Sequence, residues 1–349
     1  MTNRTCQSRG AFTLIELLVV VAIIALLIAI LLPSLHAARE QTKQTVCGTN
    51  LRAVGQGLAT YTTEQNSYPH SYIYDPMTLT ANQQAPDFAS NGYLHWSWNI
   101  YNLKHSNSGQ NLATNAKDMG SLEKAFQCPS LNKGGVPPTN PGPDNLDEGQ
   151  TPETPGVVDR QARRLAYTAN EALIPKNKFV AGFQGAIRRY RYVKPDGIRS
   201  SGGTILATEF IPDWKVVSGG SNTDGQTVCK SHRPVHGFRG VNGELDAEDI
   251  PLGVNPAPLT RVVATDIDTN PQVGAASQTR LDWLGRNHGR RSSRTTNFLY
   301  ADTHVENKKI EKTVPSLVNG QIRGKGEWGQ QFYSLERGEV FLPGQGPND

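Results

Sequence analysis

The longest apolar run of the chain lies near its N-terminus and predicts a membrane-spanning helix. From Phe12 to Leu32 there are twenty-one residues, of which only Glu16 is charged. About twenty apolar residues are needed to cross the roughly 30 Å hydrocarbon core of a bilayer. A secretory signal has a shorter apolar region of about 7–15 residues, followed by small residues at a cleavage site. Here Pro33 and a polar sequence follow, so we expect the span to be kept as an anchor.

A second, amphipathic pattern predicts that the helix continues beyond the bilayer. Apolar residues recur at alternating spacings of four and three, which place them on one helix face. They are Cys47, Leu51, Val54, Leu58 and Tyr61. We expect Pro33 to kink the helix rather than end it, because neighbouring membrane helices can satisfy the freed carbonyl. The pattern therefore predicts one helix over residues 12–66 whose apolar stripe packs on a globular head.

The remainder, residues 67–349, consists of short apolar runs between Gly, Pro, Asn and Ser, and this predicts short strands and loops. Candidate strands are residues 204–210, 262–265 and 296–300, the last turning into a partner strand at 304–306. The proline-rich, acidic segment 133–156 indicates a surface loop. The predicted fold class is α+β, with a long, partly transmembrane helix packed on a mostly antiparallel sheet.

The charge balance of the chain argues against a nucleic-acid partner. The chain has 349 residues and a net charge of +4, from 35 basic and 31 acidic residues. This balance leaves no overall electrostatic footprint for a nucleic acid. The local cluster Arg290, Arg291 and Arg294 has no interleaved aromatic residues for base stacking, so we interpret it as a solvated loop. No nucleic-acid partner is expected.

The four cysteines are Cys6, Cys47, Cys128 and Cys229, and none of them forms a CxxC pair. A structural zinc site is therefore not expected. If the N-terminal leader is removed and the remainder is exported, three thiols reach an oxidising compartment, where one disulfide and one odd cysteine is the simplest arrangement. Cys47 with Cys128 is the favoured pair, since it would tie an irregular segment to the long helix. Sequence alone leaves the other pairings open.

Glu16 requires an explanation within the apolar span. A carboxylate at the centre of a membrane helix costs about 2.5–3.5 kcal/mol on insertion scales. Either Glu16 lies close enough to the helix start to reach the interface, or a partner neutralises it. The residues of the span alone do not separate these two explanations.

The segment from Gly10 to Glu16, GAFTLIE, together with the basic leader and the apolar span, resembles the cleavage and methylation signature of type IV prepilins and type II secretion pseudopilins. The resemblance implies that prepilin peptidase removes the leader on the cytosolic side of the inner membrane and methylates the new N-terminal amine. It implies that Glu16 neutralises the amine of a neighbouring pilin-like subunit. It also implies a single-pass inner-membrane protein with a pilin-like head on the periplasmic or extracellular side.

The scissile bond is ambiguous because the family usually has glycine directly before the phenylalanine, whereas Ala11 stands between them here. A cut after Ala11 leaves residues 1–11 as the leader and makes Phe12 the first residue, Glu16 the fifth and Pro33 the twenty-second. A cut after Gly10 shifts both later positions by one. The double match of Glu16 and Pro33 with the family register favours the Ala11/Phe12 bond and N-methylation of Phe12.

The C-terminal segment 286–306 resembles the His-x9-Asp-Gly segment of a large class of prepilin-like proteins. His288 matches the motif histidine, Asp302 the aspartate and His304 a histidine that usually follows. The segment departs from that motif in two ways. Thirteen residues rather than nine separate His288 from Asp302, and Thr303 stands in place of the turn glycine. In a tight turn Asp302 can accept backbone N–H bonds, which explains it without chemistry.

Three sets of residues could hold a metal, although a structural role is the expectation for each. His288 and His304 would need their strands to bring them together. His232 and His236 have the i,i+4 spacing of zinc helices, but Pro234 lies between them. Asp266, Asp268 and Asn270 begin like a calcium loop, as in some pseudopilins, but Pro271 and Ser277 occupy its sixth and twelfth places. No metal or cofactor is predicted, with calcium as the open alternative.

The function predicted is that of a non-enzymatic subunit of a type IV pilus or a secretion pseudopilus. No nucleophile elbow, phosphate loop or zincin helix occurs in the sequence, so an anchored hydrolase has no positive support. The alternative function is a membrane-anchored module that binds glycan or another exported ligand through Trp96, Trp98 and Trp283. Burial in the core is the ordinary explanation of such tryptophans.

Overall fold

The structure is a computed structural model that describes residues 13–74, 92–100, 120–175, 192–221, 227–240, 259–273, 279–289, 293–329, 331–334 and 338–341. It divides into two compact units, Met1–Thr42 and Lys43–Asp349. The described part of the first unit is helical. The second unit contains the rest of the long helix and the head.

The long helix α1 extends over Leu14–Gln65 with Pro33 inside it, which confirms the predicted N-terminal helix. From Leu14 to Leu35 its large apolar side chains are between 46% and 79% exposed. This is the surface that lipid or a bundle of similar helices would cover. The helix ends where Asn66 adopts a φ of 54°, since asparagine is one of the few residues that tolerate the left-handed conformation of a helix cap.

The head contains a short helix, α2 (Gly120–Ala125), and fourteen strands among the described residues. The strands are β1 (Tyr72–Tyr74), β2 (Tyr93–His95), β3 (Tyr167–Ala169), β4 (Ile205–Glu209), β5 (Ser218–Ser221), β6 (Thr227–Cys229), β7 (Phe238–Gly240), β8 (Leu259–Arg261), β9 (Thr296–Tyr300), β10 (Val305–Lys308), β11 (Ser316–Val318), β12 (Gln321–Arg323), β13 (Gln331–Ser334) and β14 (Gly338–Phe341). All pairings between these strands are antiparallel, and together with α1 they confirm the predicted α+β class.

The central sheet has four strands in the order β10-β9-β4-β3, and the other strands form two-stranded ribbons. Every residue of β4 and β9 is buried, so this sheet is covered on both faces. Successive side chains of a strand point to opposite faces. Leu299 accordingly meets α1 at Gly55, while Phe298 packs edge-to-face on Trp328 with ring centroids 6.3 Å apart.

The stripe of α1 packs on the helix-facing side of this sheet. Cys47, Leu51, Val54 and Leu58 are all 0% exposed, and Tyr61 is half-buried. A Cβ at Gly55 would lie 2.7 Å from Leu299 Cδ1, closer than carbon atoms pack. The glycine therefore weakens the isolated helix but permits its close approach to β9.

Two predictions for the head are wrong. The predicted strand at 262–265 is absent, because β8 ends at Arg261 and residues 264–266 form a 3-10 turn. The Asp266 carboxylate accepts a hydrogen bond from Val263 N at 2.9 Å, and such local bonds compete with strand pairing. The segment 133–156 is not simply a surface loop, since Val136, Thr139 and Asn140 are at most 2% exposed.

His95 makes the stability of the head depend on pH. Burial lowers the pKa of His95 to about 3, and its Nδ1 accepts a hydrogen bond from Ser97 N at 3.2 Å. In the unfolded chain the imidazole takes up a proton below about pH 6.5, whereas in the folded chain it stays neutral. As the pH falls from about 6 to about 4, the free energy of unfolding of the wild type should therefore decrease by about 1.4 kcal/mol per pH unit relative to that of His95→Asn. Urea titrations of both proteins across this range measure the slope, and a constant difference contradicts the prediction.

Candidate functional site

The N-terminal site is built around Glu16 in the first turn of α1. Its Oε2 accepts hydrogen bonds from both Thr13 N and Thr13 Oγ1, each at 2.9 Å, and Thr13 Oγ1 in turn accepts one from Glu16 N at 3.3 Å. This reciprocal pattern is a capping box, which satisfies backbone donors at a helix start. In a single chain, Glu16 thus has a local role as a helix cap.

The surroundings of Glu16 are apolar and uncovered. No other charged residue occurs between it and Arg39, and the neighbouring Ile15 and Leu17 are 72% and 57% exposed. Among the described residues, α1 is the one helix long and apolar enough to cross a membrane. The predicted cleavage residues Gly10, Ala11 and Phe12 lie outside the described residues, so their roles remain predictions.

A second cluster lies between α1 and the central sheet. The structure joins Cys47 of α1 to Cys128 by a disulfide, while Cys229 is a free, buried thiol. Beside the disulfide, His288 Nε2 lies 2.9 Å from Glu209 Oε1, and both side chains are fully buried. Tyr167 donates a hydrogen bond from its hydroxyl to the Cys47 carbonyl oxygen at 2.8 Å. Burial, followed by the charge of Glu209, raises the pKa of Tyr167 well above its usual value.

Amide and hydroxyl groups complete this cluster. Asn297 Nδ2 donates to Glu209 Oε1 at 2.9 Å, and Ser130 Oγ lies 3.4 Å from His288 Nδ1. Asn297 Nδ2 also lies 3.3 Å from the Gln44 carbonyl oxygen of α1. The helix and the sheet therefore share one hydrogen-bond network at this point.

The C-terminal motif residues do not form one site. His288 pairs with Thr295, just before β9, whereas Asp302 and His304 follow the other end of that strand. Five strand residues span about 17 Å, which separates His288 from the other two. His304 Nδ1 instead lies 2.6 Å from Asp302 Oδ1, and its ring stacks on Tyr300. Although burial acts to raise it, hydrogen bonds from His304 lower the pKa of Asp302 below its usual value.

Thr303 occupies the position of the glycine in the His-x9-Asp-Gly segment that residues 286–306 resemble, and it adopts a φ of 73°. The left-handed conformation costs an L-residue about 1–2 kcal/mol, whereas glycine adopts it freely at an entropic cost of about 0.5–1 kcal/mol. Thr303→Gly should therefore raise the free energy of unfolding, by up to about 1 kcal/mol. Denaturant titration measures the change. Thr265→Gly, at an exposed threonine without a positive φ, is the control and should lower stability; equal losses in both variants contradict the argument.

The remaining candidate ligands have structural contacts. His232 stacks on Tyr93 with centroids 4.1 Å apart, and His236 Nδ1 lies 2.7 Å from the Phe238 carbonyl oxygen, so the two rings face different neighbours. Asp268 Oδ1 accepts a hydrogen bond from Asn270 N at 2.8 Å within its own turn. Trp96, Trp98 and Trp283 are 1–2% exposed and belong to the core. Arg294 is exposed, while Arg290 and Arg291 lie outside the described residues.

Sequence reasoning missed two of these features. The string Thr13-x-x-Glu16 directly before an apolar run is a capping-box signal, and it was the available indication of the local role of Glu16. Glu209 was overlooked as a site residue although it lies in the apolar strand TILATEF. A carboxylate inside a strand buried on both faces is rare without a partner, and this was the available signal.

Comparison with known proteins identifies the N-terminal class. The family model described as "Prokaryotic N-terminal methylation motif" matches residues 6–32. Together with the long helix and the antiparallel head, this match gives the chain a prepilin-type N-terminus and a pilin-like α+β arrangement. The apolar helix and the motif fit a membrane-anchored protein.

Two curated relatives carry the comparison further. The chain is 47% identical over 62 residues to the type IV wide pilus major component PilA4 of Thermus thermophilus, which covers 18% of this chain and 47% of that protein. It is 30% identical over 94 residues to the type II secretion system core protein G of Pseudomonas aeruginosa, which covers 25% of this chain and 64% of that protein. The chain thus spans about half to somewhat under two thirds of these relatives. No solved structure shows significant similarity to the chain.

Proposed function

We propose that this chain is a non-enzymatic, pilin-like subunit that prepilin peptidase processes and that assembles with other pilin-like subunits in a type IV pilus or a type II secretion pseudopilus. One observation carries the proposal. Glu16 is the single charge in the apolar, uncovered part of α1 at residues 14–35, which lies in and just after a prepilin-type motif. A charge in such a position marks a functional contact, because an unpaired carboxylate in lipid is unfavourable.

In the proposed subunit the leader is cytosolic, residues 12–32 cross the inner membrane, and the head lies on the periplasmic or extracellular side. The peptidase cuts between Ala11 and Phe12 and methylates the Phe12 amine. Glu16 then exchanges its capping contact with Thr13 for the amine of a neighbouring subunit. The uncovered apolar surface of α1 supports packing against other helices, since such helices bury one another in a fibre as they do in lipid.

Mass spectrometry of the mature N-terminus tests the processing step. The expected product lacks residues 1–11 and begins with N-methylated Phe12. A product beginning at Ala11 moves the cut by one bond and keeps the proposal, whereas an intact Met1 on protein taken from membranes overturns it. The peptidase-deficient cell is the control, in which full-length chain should accumulate.

Cross-linking in the native membrane, followed by identification of the joined proteins, tests the assembly step. Products that contain other pilin-like chains joined through α1 are expected. The buried state of Trp96, Trp98 and Trp283 gives no support to the alternative of a ligand-binding module built on these tryptophans. Products joined only through the head, with α1 unlinked, would contradict helix-mediated assembly.

A further inference from the structure

We propose that Cys47, Cys128, His288 and Glu209 form a zinc site in the thiol form of the protein, so that a disulfide and a metal ion are alternative cross-links at the same position. This site goes beyond the proposed pilin-like function and does not depend on it. The ligands come from distant parts of the chain, which is why the absence of a CxxC pair in the sequence does not exclude it.

The geometry brings one ligand atom from each residue into reach of a common ion. The two sulfurs, a histidine nitrogen and a carboxylate oxygen all lie within 4.8 Å of one another. Zinc binds sulfur at about 2.3 Å and nitrogen or oxygen at about 2.0–2.2 Å, so tetrahedral ligand atoms lie about 3.3–3.8 Å apart. Opening the disulfide allows the two sulfurs to separate to that spacing.

The donor set matches zinc. Two thiolates with an imidazole and a carboxylate are the ligand types of tetrahedral zinc sites. In the part of the chain that the structure describes, no other group of three or more His, Cys, Asp or Glu side chains is arranged to hold an ion. All four residues are at most 1% exposed, as expected for a closed site without room for substrate.

The charges around the sulfurs also point to a cation. A disulfide is uncharged and needs no polar neighbours, yet an imidazole and a carboxylate that are fully buried stand beside it. Burying a carboxylate is unfavourable unless a positive group compensates it. A divalent ion bound by the two sulfurs supplies that positive charge beside Glu209.

The neighbouring polar groups can orient the ligands. Asn297 Nδ2 donates to Glu209 Oε1, and the Ser130 hydroxyl lies near His288 Nδ1. Hydrogen bonds of this kind fix the direction of metal ligands and tune their basicity. The ion would join α1, the Cys128 segment, β4 and the segment before β9, whereas the disulfide joins only the first two.

A dithiol can act as the reductant that converts the disulfide form into the zinc-bound thiol form. Thiol–disulfide exchange with the dithiol breaks the Cys47–Cys128 bond, leaves two thiols on the protein and converts the dithiol into its own disulfide. Zinc then displaces the two thiol protons, which pass to solvent, and the two thiolates bind the ion. Oxidation of the bound thiolates to the disulfide, with transfer of two electrons to an oxidant such as a small-molecule disulfide, releases Zn²⁺.

The test uses the full chain in detergent, reduced with a phosphine under anaerobic conditions and then dialysed against Zn²⁺ or Co²⁺. We expect one tightly held ion per chain, a cobalt–thiolate charge-transfer band typical of tetrahedral sites, and at least tenfold slower alkylation of Cys47 and Cys128 that a chelator reverses. Without reduction the same protein should bind no ion.

Cys229→Ser is the matched control, since it removes a buried thiol outside the cluster. It should keep the ion, whereas Cys128→Ser, His288→Asn and Glu209→Gln should each lose it or bind it at least tenfold more weakly. If a variant fails to fold, the alkylation rates of the wild type with and without Zn²⁺ decide the question. Equal rates, or equal loss of the ion in Cys229→Ser, overturn the proposal.

Discussion

Glu16→Ala is expected to remove the chain from assembled fibres while leaving its head folded. In the proposed assembly the carboxylate neutralises a neighbour's N-terminal amine inside an apolar helix bundle. Loss of one partner of a buried ion pair costs about 3–5 kcal/mol, which corresponds to roughly two to four orders of magnitude in the equilibrium constant. Comparison of the chain in sheared fibres or cross-linked oligomers with its total amount in the membrane measures the effect, after mass spectrometry has shown normal processing.

Two controls separate assembly from helix capping. Thr13→Ala removes the hydroxyl that donates to Glu16 Oε2 and accepts from Glu16 N, but it keeps the carboxylate. A lost cap costs only about 0.5–2 kcal/mol. Glu64→Ala removes an exposed carboxylate near the other end of α1. Both variants should assemble nearly as well as the wild type. If Thr13→Ala is depleted from fibres as strongly as Glu16→Ala, Glu16 acts as a cap, and the ion-pair role is wrong.

Leu51→Ala is expected to lower the free energy of unfolding of the head by about 2–5 kcal/mol. Leu51 is fully buried in the stripe of α1, and its truncation removes apolar contacts and leaves a cavity under the sheet. Urea titration followed by tryptophan fluorescence measures the change, because Trp96, Trp98 and Trp283 belong to the same core.

Val46→Ala is the matched control on the same helix. Val46 is 41% exposed and lies off the stripe, so its truncation should change the free energy of unfolding by no more than about 0.5 kcal/mol. Equal losses in the two variants would show that helix propensity, rather than packing on the sheet, determines the stability of this region.

The sequence predicted the elements whose signals are local. The apolar span and the stripe predicted one helix over residues 12–66, and α1 extends over Leu14–Gln65. Residues 296–300 were predicted with the bounds of β9, since a short β-rich run is followed there by turn residues. The strand predicted at 262–265 failed because the Asp266 side chain bonds back to Val263 N, a contact that apolar patterning does not reveal.

Sequence reasoning favoured the Cys47–Cys128 pair of the buried cluster but did not place Glu209 and His288 beside it, because these residues come together only through packing. Cys47, Cys128, Glu209 and His288 lie on four separate segments, and no spacing relates them. The resemblance of segment 286–306 directed attention to His288, Asp302 and His304 as one motif. The length of β9 separates them, so the motif contributes a buried histidine at one end and an exposed turn at the other.

The packing of α1 on β9 has a consequence for the order in which the protein is made. The stripe that begins at Cys47 is synthesised early, yet Leu299, which meets Gly55, follows more than 240 residues later in β9. Contacts between such distant segments form slowly, because a long loop must close first. The apolar stripe of the helix therefore stays exposed until β9 has been synthesised, and we expect the nascent chain to be most prone to aggregation in this interval.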